Sequence, residues 1–248
     1  NNFSHFTYWA LQIDGTAASG TFSLNYIFDN NTPPSLYQGG GMIFQSSITV
    51  GSLISDNKFV NNSPSMALGS GGHTITKNIF ENGRGIYAES ADNMVSENFF
   101  DAAITYAFLV NFVKTGNVLY HNSILGGTPR VVYGSAGGIV TATCNWWGST
   151  DTAVVNYKTN SFVTYLPWLV NGTDSEINTP GFQTTSACTA PCDLVLTATP
   201  THPVCPGGKG SVALTVTGGS GTYTFGGDTT TDLNPGTYNF SVTDANGC

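Results

Sequence analysis

Charge is what this sequence has least of. Its 248 residues include 7 Lys+Arg and 15 Asp+Glu, a formal net charge of −8, and charged residues make up 9% of the chain, against about 25% in an ordinary soluble domain. Seven scattered cations cannot build the basic footprint that displaces counterions from phosphates, which excludes a nucleic-acid partner. Long apolar runs are missing as well. The richest, 102–113, is far short of the roughly 20 residues a bilayer core requires, so the chain is not expected to span a membrane. An initiator Met and a secretory leader are also lacking, and the chain reads as a piece of a longer protein. Nor is there a Gly-x-Ser-x-Gly elbow, a paired Asp-Asp, a phosphate loop or a His near Cys144 in sequence to activate it. With 40% hydrophobic residues, 15 Phe and 11 Tyr, the chain has too much to bury to be disordered. In place of charge stand 78 Ser, Thr and Asn residues and 30 Gly.

Those residues recur with a period. The pattern apolar-x-x-Asn-x-apolar places Asn at Asn25, Asn57, Asn78, Asn98, Asn122 and Asn145, and Asn1 looks like the tail of an earlier copy. The steps from Asn1 are 24, 32, 21, 20, 24 and 23 residues. Units this short cannot bury an apolar face alone and must stack. Most carry a second apolar cluster after the Asn, at Met66–Leu68, Ile86–Tyr87, Phe108–Val110 and Val131–Tyr133. Two or three short strands per turn, cornered by Gly and Asn, predict a parallel β-helix, right-handed by the general crossover preference. Asn suits a corner because it tolerates the left-handed backbone conformation and its stacked amides can hydrogen-bond along a column. The residue two places on points inward, predicting a core column of Ile27, Phe59, Phe80, Phe100, Ile124 and Trp147, each worth roughly 1.5–3 kcal/mol when buried. The long step of 32 is accounted for by a turn-rich insertion at 30–41.

Asn145-Trp-Trp-Gly148 followed by Tyr165-Leu-Pro-Trp-Leu169 supplies the aromatic cap that the last rung needs. This ending, after Asn-x-Phe rungs, resembles the cap of bacterial surface proteins with right-handed parallel β-helix repeats. The likeness covers about residues 1–170, and the class includes adhesins, polysaccharide lyases and glycosidases. Residues 171–192 read as a polar linker, pinned by a Cys188–Cys192 bridge, with Cys144 left over and buried. From 193 on, short alternating strands with Gly/Pro turns indicate a small Ig-like β-sandwich. Cys205-Pro-Gly-Gly-Lys-Gly-Ser-Val, Leu233-Asn-Pro-Gly-Thr-Tyr and Val242-Thr-Asp-Ala-Asn-Gly-Cys248 closely resemble the SprB-type repeat of giant surface adhesins in gliding Bacteroidetes. The usual aromatic-Ser/Trp after Tyr-Thr-Phe is here Gly226-Gly227. The resemblance implies a Cys205–Cys248 bridge, worth roughly 4 kcal/mol in the chain-entropy model, together with type IX secretion, a secreted or cell-surface location, adhesion or surface display, and a link to gliding motility.

Chemistry is harder to find. The residue before each Asn forms a column of Asp56, Lys77, Glu97, His121 and Cys144, which stacking would turn into a solvated charge ladder worth 0–1 kcal/mol per pair. An acid/base set of Glu97 and His121 with Lys77 is the functional alternative. Asp14, Asp29, Glu81, Glu89, Asp92 and Asp101 fall at unmatched offsets, while Arg84 and Arg130 sit on Gly-rich turns where either could serve a lyase. His5 and His73 read as surface rung residues. Tyr37, Tyr87, Tyr106, Tyr120 and Tyr133 could bind surface glycans by stacking, Asp244 is explained by its turn without Ca²⁺, and Asp151-Thr-Ala153 and Asp228-Thr-Thr230 resemble short O-glycosylation acceptors. The expectation is therefore a non-enzymatic surface module with no metal or cofactor, and a carbohydrate-active β-helix enzyme as the alternative.

Overall fold

The computed structural model describes residues 1–6, 8–14, 20–30, 40–45, 51–127, 129–135, 137–189, 194–205, 207–219 and 222–244. Most of the insertion at 30–41 lies outside them, as do Tyr37, Cys192 and Cys248. The chain divides into two units, Asn1–Thr189 and Ala190–Cys248. The first is a parallel β-helix of three sheets with six, six and seven strands. The first sheet stacks Asn2–Ser4, Tyr26–Phe28, Lys58–Asn62, Ile79–Gly83, Phe99–Phe100 and Ser123–Ile124. The second stacks Trp9–Ile13, Gly40–Phe44, Met66–Leu68, Ile86–Ala88, Phe108–Val110 and Val132–Gly134. The third runs from Thr21–Ser23 through Leu53–Ser55, Thr74–Thr76, Met94–Ser96, Asn117–Tyr120 and Val140–Thr141 to Val163–Thr164.

In the first sheet Ile27, Phe59, Phe80, Phe100 and Ile124 are successive register partners, and with Trp147 all are fully buried. The Phe80 ring stacks on Phe59 at 5.0 Å and on Phe100 at 4.6 Å, nearly parallel to both. At the preceding corner, each Asn from Asn57 through Asn145 accepts two hydrogen bonds on Oδ1, from the backbone N–H and the Nδ2 of the Asn one rung earlier, at 2.9–3.1 Å. Its own Nδ2 also donates to backbone carbonyls; that of Asn98 reaches the Ile75 and Ser96 oxygens. An amide buried this deeply costs nothing in lost hydration because each of its polar atoms is paired.

The left-handed residue at this corner is not the Asn. It is the residue before it: Leu24, Asp56, Lys77, Glu97, His121 and Cys144 have φ between +52° and +57°. The Asn itself must turn its amide inward to reach the column, so the sharp bend falls one place earlier, where the side chain points away.

Two further corners use the same device. Asn30 donates from its backbone N–H and its Nδ2 to Asn62 Oδ1, at 3.2 and 3.0 Å, after left-handed Asp29 and Asn61. Ahead of the third sheet, Ser52 N–H donates to His73 Nδ1 (3.0 Å), His73 N–H to Asn93 Oδ1 (3.2 Å), and Asn93 N–H to Asn117 Oδ1 (3.2 Å). The residues before them, Gly72, Asp92 and Gly116, are again left-handed. His73 thus stands where its neighbours have Asn and is 0% exposed, which corrects its reading as a surface residue. His5 is exposed, 3.9 Å from Asp29.

The end of the helix carries a short element absent from the sequence reading, an α-helix at Thr152–Lys158. Asp151 caps it by accepting from Ala153 N–H at 2.8 Å, so the Asp151-Thr-Ala153 triplet is a helix start. Val155 is buried, and the Lys158 ammonium donates to the Ile124, Leu125 and Trp147 carbonyls of the last rung. Burial lowers the Lys158 pKa. Trp147, Trp168 and Leu169 close the core beside it.

Residues 171–189 do not form a free linker. Phe182, 2% exposed, donates its N–H to the Glu97 carbonyl at 2.7 Å. A Cβ on Gly181 (φ +91°) would meet that same oxygen at 2.2 Å. Trp168–Leu169 pairs antiparallel with Cys188–Thr189, and Cys188 is bonded to Cys144, 44 residues away. This overturns both the Cys188–Cys192 bridge and the leftover Cys144. The segment doubles back along the solenoid, so spatial neighbours replace sequence neighbours. Cys205 is exposed, and the other member of its expected bridge, Cys248, lies outside the described residues.

The second unit pairs Val195–Thr201 with Ser211–Thr217 and Thr224–Gly227 with Phe240–Thr243, both antiparallel. Leu233 and Asp244 are its buried residues. No helix among the described residues is long and apolar enough to cross a membrane.

Candidate functional site

Strand alternation divides the second sheet into two faces. Met42, Phe44, Met66, Leu68, Ile86, Ala88, Phe108, Val110 and Val132 belong to the core. The residues between them, Ile43, Ala67, Tyr87, Leu109 and Tyr133, are register partners along the outer face. Tyr87, Leu109 and Tyr106, with Tyr133 packed against them, form an apolar cluster separate from the core.

A polar row runs beside this cluster. Ser135 Oγ donates to Asn111 Oδ1 (2.7 Å), Asn111 Nδ2 to Tyr87 Oη (2.8 Å), and Tyr87 Oη to Glu89 Oε1 (3.0 Å). Burial raises the Glu89 pKa, with the Asn111 amide and the Lys114 charge acting against it. A hollow of about 100 Å³ opens over Ile43, Ala67, Tyr87 and Glu89. A larger one, of about 360 Å³, is bounded by Thr105, Tyr106, Pro129, Arg130 and Tyr133.

The wall of that larger cavity is set by rung stacking. Gly85 N–H donates to the Tyr106 carbonyl and Ala107 N–H to the Val131 carbonyl, both at 2.7 Å. Arg84, Tyr106 and Arg130 therefore occupy matching positions on three successive rungs, spaced about 4.8 Å apart. These are the only two arginines in the sequence. Neither takes part in the ion pairs among the described residues, which join His5 with Asp29, Lys58 with Glu81 and Lys77 with Glu97. The Tyr106 ring is 4% exposed, and its hydroxyl has no hydrogen-bond partner among the described residues. Burial pushes its pKa well up, against the opposing pull of Arg84. Tyr133 is raised by burial too, with Arg84 and Arg130 opposing. Both phenols stay protonated at neutral pH and can donate a hydrogen bond.

The remaining sequence candidates do not converge here. Lys77 lies 3.9 Å from Glu97, both side chains partly exposed, and the His121 ring packs edge-on against Tyr120 at 5.4 Å. His73 is held on both ring nitrogens, by Ser52 N–H and by Ser70 Oγ at 2.9 Å. Among the described residues no three His, Cys, Asp or Glu side chains come close enough to hold a metal ion. The polar row was missed because Asn111 and Ser135 lie just past their strands, at matching offsets that only register reveals.

The family of the periplasmic copper-binding protein (NosD) matches residues 10–164, well over half of the chain and the whole outer face just described. The chain belongs to the NosD family. No curated protein and no solved structure matches it. The NosD-like region takes in the helix from its second strand to the last strand of the third sheet, and it stops before the Cys188 strap and the antiparallel second unit.

Proposed function

We propose that the chain is a glycan-binding module of an extracellular or periplasmic protein, acting in adhesion or surface display. The observation that carries this reading is the outer face of the second sheet. An apolar floor of Tyr133, Leu109 and Tyr87 lies beside donors and acceptors held ready in a row. Sugars present an apolar face and a polar rim, and aromatic side chains match both at little entropic cost. The family's periplasmic description fits an exported protein.

Copper, which the family's description also names, finds no cluster of three His, Cys, Asp or Glu donors among the described residues. Both His73 nitrogens are taken, Cys144 and Cys188 are joined, and Met42 and Met66 are sealed in the core. Cleavage fits less well than binding. A glycosidase works with two carboxylates, and the row contains one, Glu89. A lyase needs a base, whereas a guanidinium stays protonated above pH 12 and burial holds the Tyr106 phenol in its neutral form. The antiparallel hairpins of the second unit are compatible with a SprB-type module exported by type IX secretion in a gliding bacterium. Calorimetric titration of the full chain with neutral and acidic oligosaccharides, coupled to chromatography of the recovered sugars, tests the reading. Binding with sugars returned intact is the expected result; shortened or unsaturated products would establish the enzyme instead.

A further inference from the structure

We infer that the cavity lined by Tyr106, Arg130 and Tyr133, with Arg84 at the matching position one rung from Tyr106, is a carboxylate subsite, so that the glycan bound along this face is an acidic one carrying uronate residues. This rests on the glycan-binding reading above and adds the substrate class.

Three observations on the same few residues converge. First, both arginines of a chain that has only two are stacked on either side of Tyr106. In a protein of net charge −8, two guanidiniums about two rungs apart repel one another, a cost that ion pairing would ordinarily remove. Among the described residues neither has a carboxylate partner, although Lys58 and Lys77 on neighbouring rungs have theirs. Second, Tyr106 lines the cavity, and its hydroxyl, closed off from solvent, has no hydrogen-bond partner among the described residues. A buried hydroxyl without a partner is costly, and a small shift of the ring toward the cavity would let a ligand oxygen there accept from it. Third, Arg130 itself lines the cavity, with its backbone fixed by a bond to the Tyr157 carbonyl at 3.0 Å. Two guanidinium forks and a phenolic donor match a planar carboxylate in charge and geometry. Tyr133, beside the cavity, offers a ring face to the pyranose that carries it.

The test uses the full-length chain and one polymer in two states: oligogalacturonides with free carboxylates, and the same oligomers methyl-esterified. Calorimetry at low salt should show the free acid bound at least about tenfold more tightly than the ester, the difference shrinking as salt is raised. Arg84→Gln and Arg130→Gln should each lower affinity for the free acid by about tenfold while leaving the ester unchanged. Tyr106→Phe should lower it by roughly three- to tenfold, with a melting temperature unchanged or raised, because the hydroxyl it removes has no partner in the fold. Equal binding of acid and ester, unaffected by the arginine variants, overturns the acidic-sugar inference and leaves the glycan reading standing. No binding of either form, nor of neutral xylo-oligosaccharides, overturns both. Tryptophan fluorescence of each variant verifies the fold; Arg130 is exposed, so its variant reports on binding even if Arg84→Gln misfolds.

Discussion

Replacing His73 with Asn should make the solenoid resistant to acid. His73 Nδ1 accepts from the Ser52 backbone N–H, so the ring proton sits on Nε2 and points to Ser70 Oγ. A second proton has nowhere to go but against that N–H donor. Burial brings the pKa down from 6.5 to about 4, partly offset by a bond to the Ser70 backbone. The unfolded chain takes up its proton near pH 6.5 and the folded chain only near pH 4, so stability is full above pH 6.5 and lost as pH falls toward 4. The loss is about 3 kcal/mol, or roughly 6–12 °C in melting temperature for a unit of this size. Asn carries no titrating group and has a ready precedent. Asn93, one rung on, donates from Nδ2 to Ser90 Oγ at 3.1 Å, the same offset as His73 to Ser70. At pH 7 the variant should lie within about 1–2 kcal/mol of the parent, the difference set by the space left beside Phe44, whose ring is 4.6 Å away. Urea melts at pH 7.0, 5.5 and 4.0, followed by tryptophan fluorescence, isolate the transition because all four tryptophans, Trp9, Trp146, Trp147 and Trp168, lie in the first unit. If parent and variant lose stability in parallel between pH 6.5 and 4, His73 is not the titrating group and the reasoning fails.

Reducing the Cys144–Cys188 bond, or replacing both residues with Ser, should cost about 2–4 kcal/mol given its loop of 44 residues; urea midpoints with and without reductant measure it, and thiol titration under denaturing, non-reducing conditions should leave these two unreactive. Asn98→Ala removes an acceptor for two donors of Asn78 and takes one of the two donors from Asn122 Oδ1, so a loss of about 2–4 kcal/mol is expected in the same melts. Leu24 is 73% exposed and left-handed at φ +57°, so Leu24→Asn should raise stability by about 0.5–1 kcal/mol. Lys158→Met keeps the buried stem but leaves three last-rung carbonyls without their donor and should cost about 2–4 kcal/mol.

How much of this could be read beforehand depends on whether a signal repeats. The Asn of the first corner recurs at nearly constant intervals, and one register follows from it, because parallel stacking puts equal offsets in one column. The third corner uses the same chemistry but reads Gly72-His73, Asp92-Asn93 and Gly116-Asn117, with Ser52 opening it. Its members differ in kind, so no single letter recurs, and His73 looked solitary. What unites them is one acceptor atom reaching the neighbouring rung, and imidazole supplies that as well as an amide does. The left-handed residue was misplaced by one position because Asn's general tolerance of that conformation pointed to the Asn itself. In this fold the ladder needs the Asn amide for hydrogen bonding and leaves the bend to whatever precedes it, even Leu24 or Lys77. The disulfide was out of reach for another reason. The strap at 171–189 has no period, and its return along the solenoid rests on one buried side chain, Phe182, and one close glycine, Gly181.

The same separation explains why a NosD-family fold need not carry copper. The ladders and the inward columns hold the coil together from inside, and they leave the outward positions of the second sheet free to vary without cost to the scaffold. A scaffold of this kind limits where a site can form and says little about which chemistry fills it. A metal site would need donors spared from the interior, and here His73 and the paired cysteines are consumed by structure. Among the groups the interior does not consume are the two arginines. In a chain that otherwise avoids charge wherever rungs stack like on like, two unpaired cations aligned across three rungs run against the rule that shapes the rest of the composition. Two rungs apart in water the repulsion is only about 0.4 kcal/mol, and a ligand's negative charge would turn it into attraction. The free acid and its methyl ester differ in that charge and in one methyl group, so comparing them at low and high salt asks what Arg84 and Arg130 face.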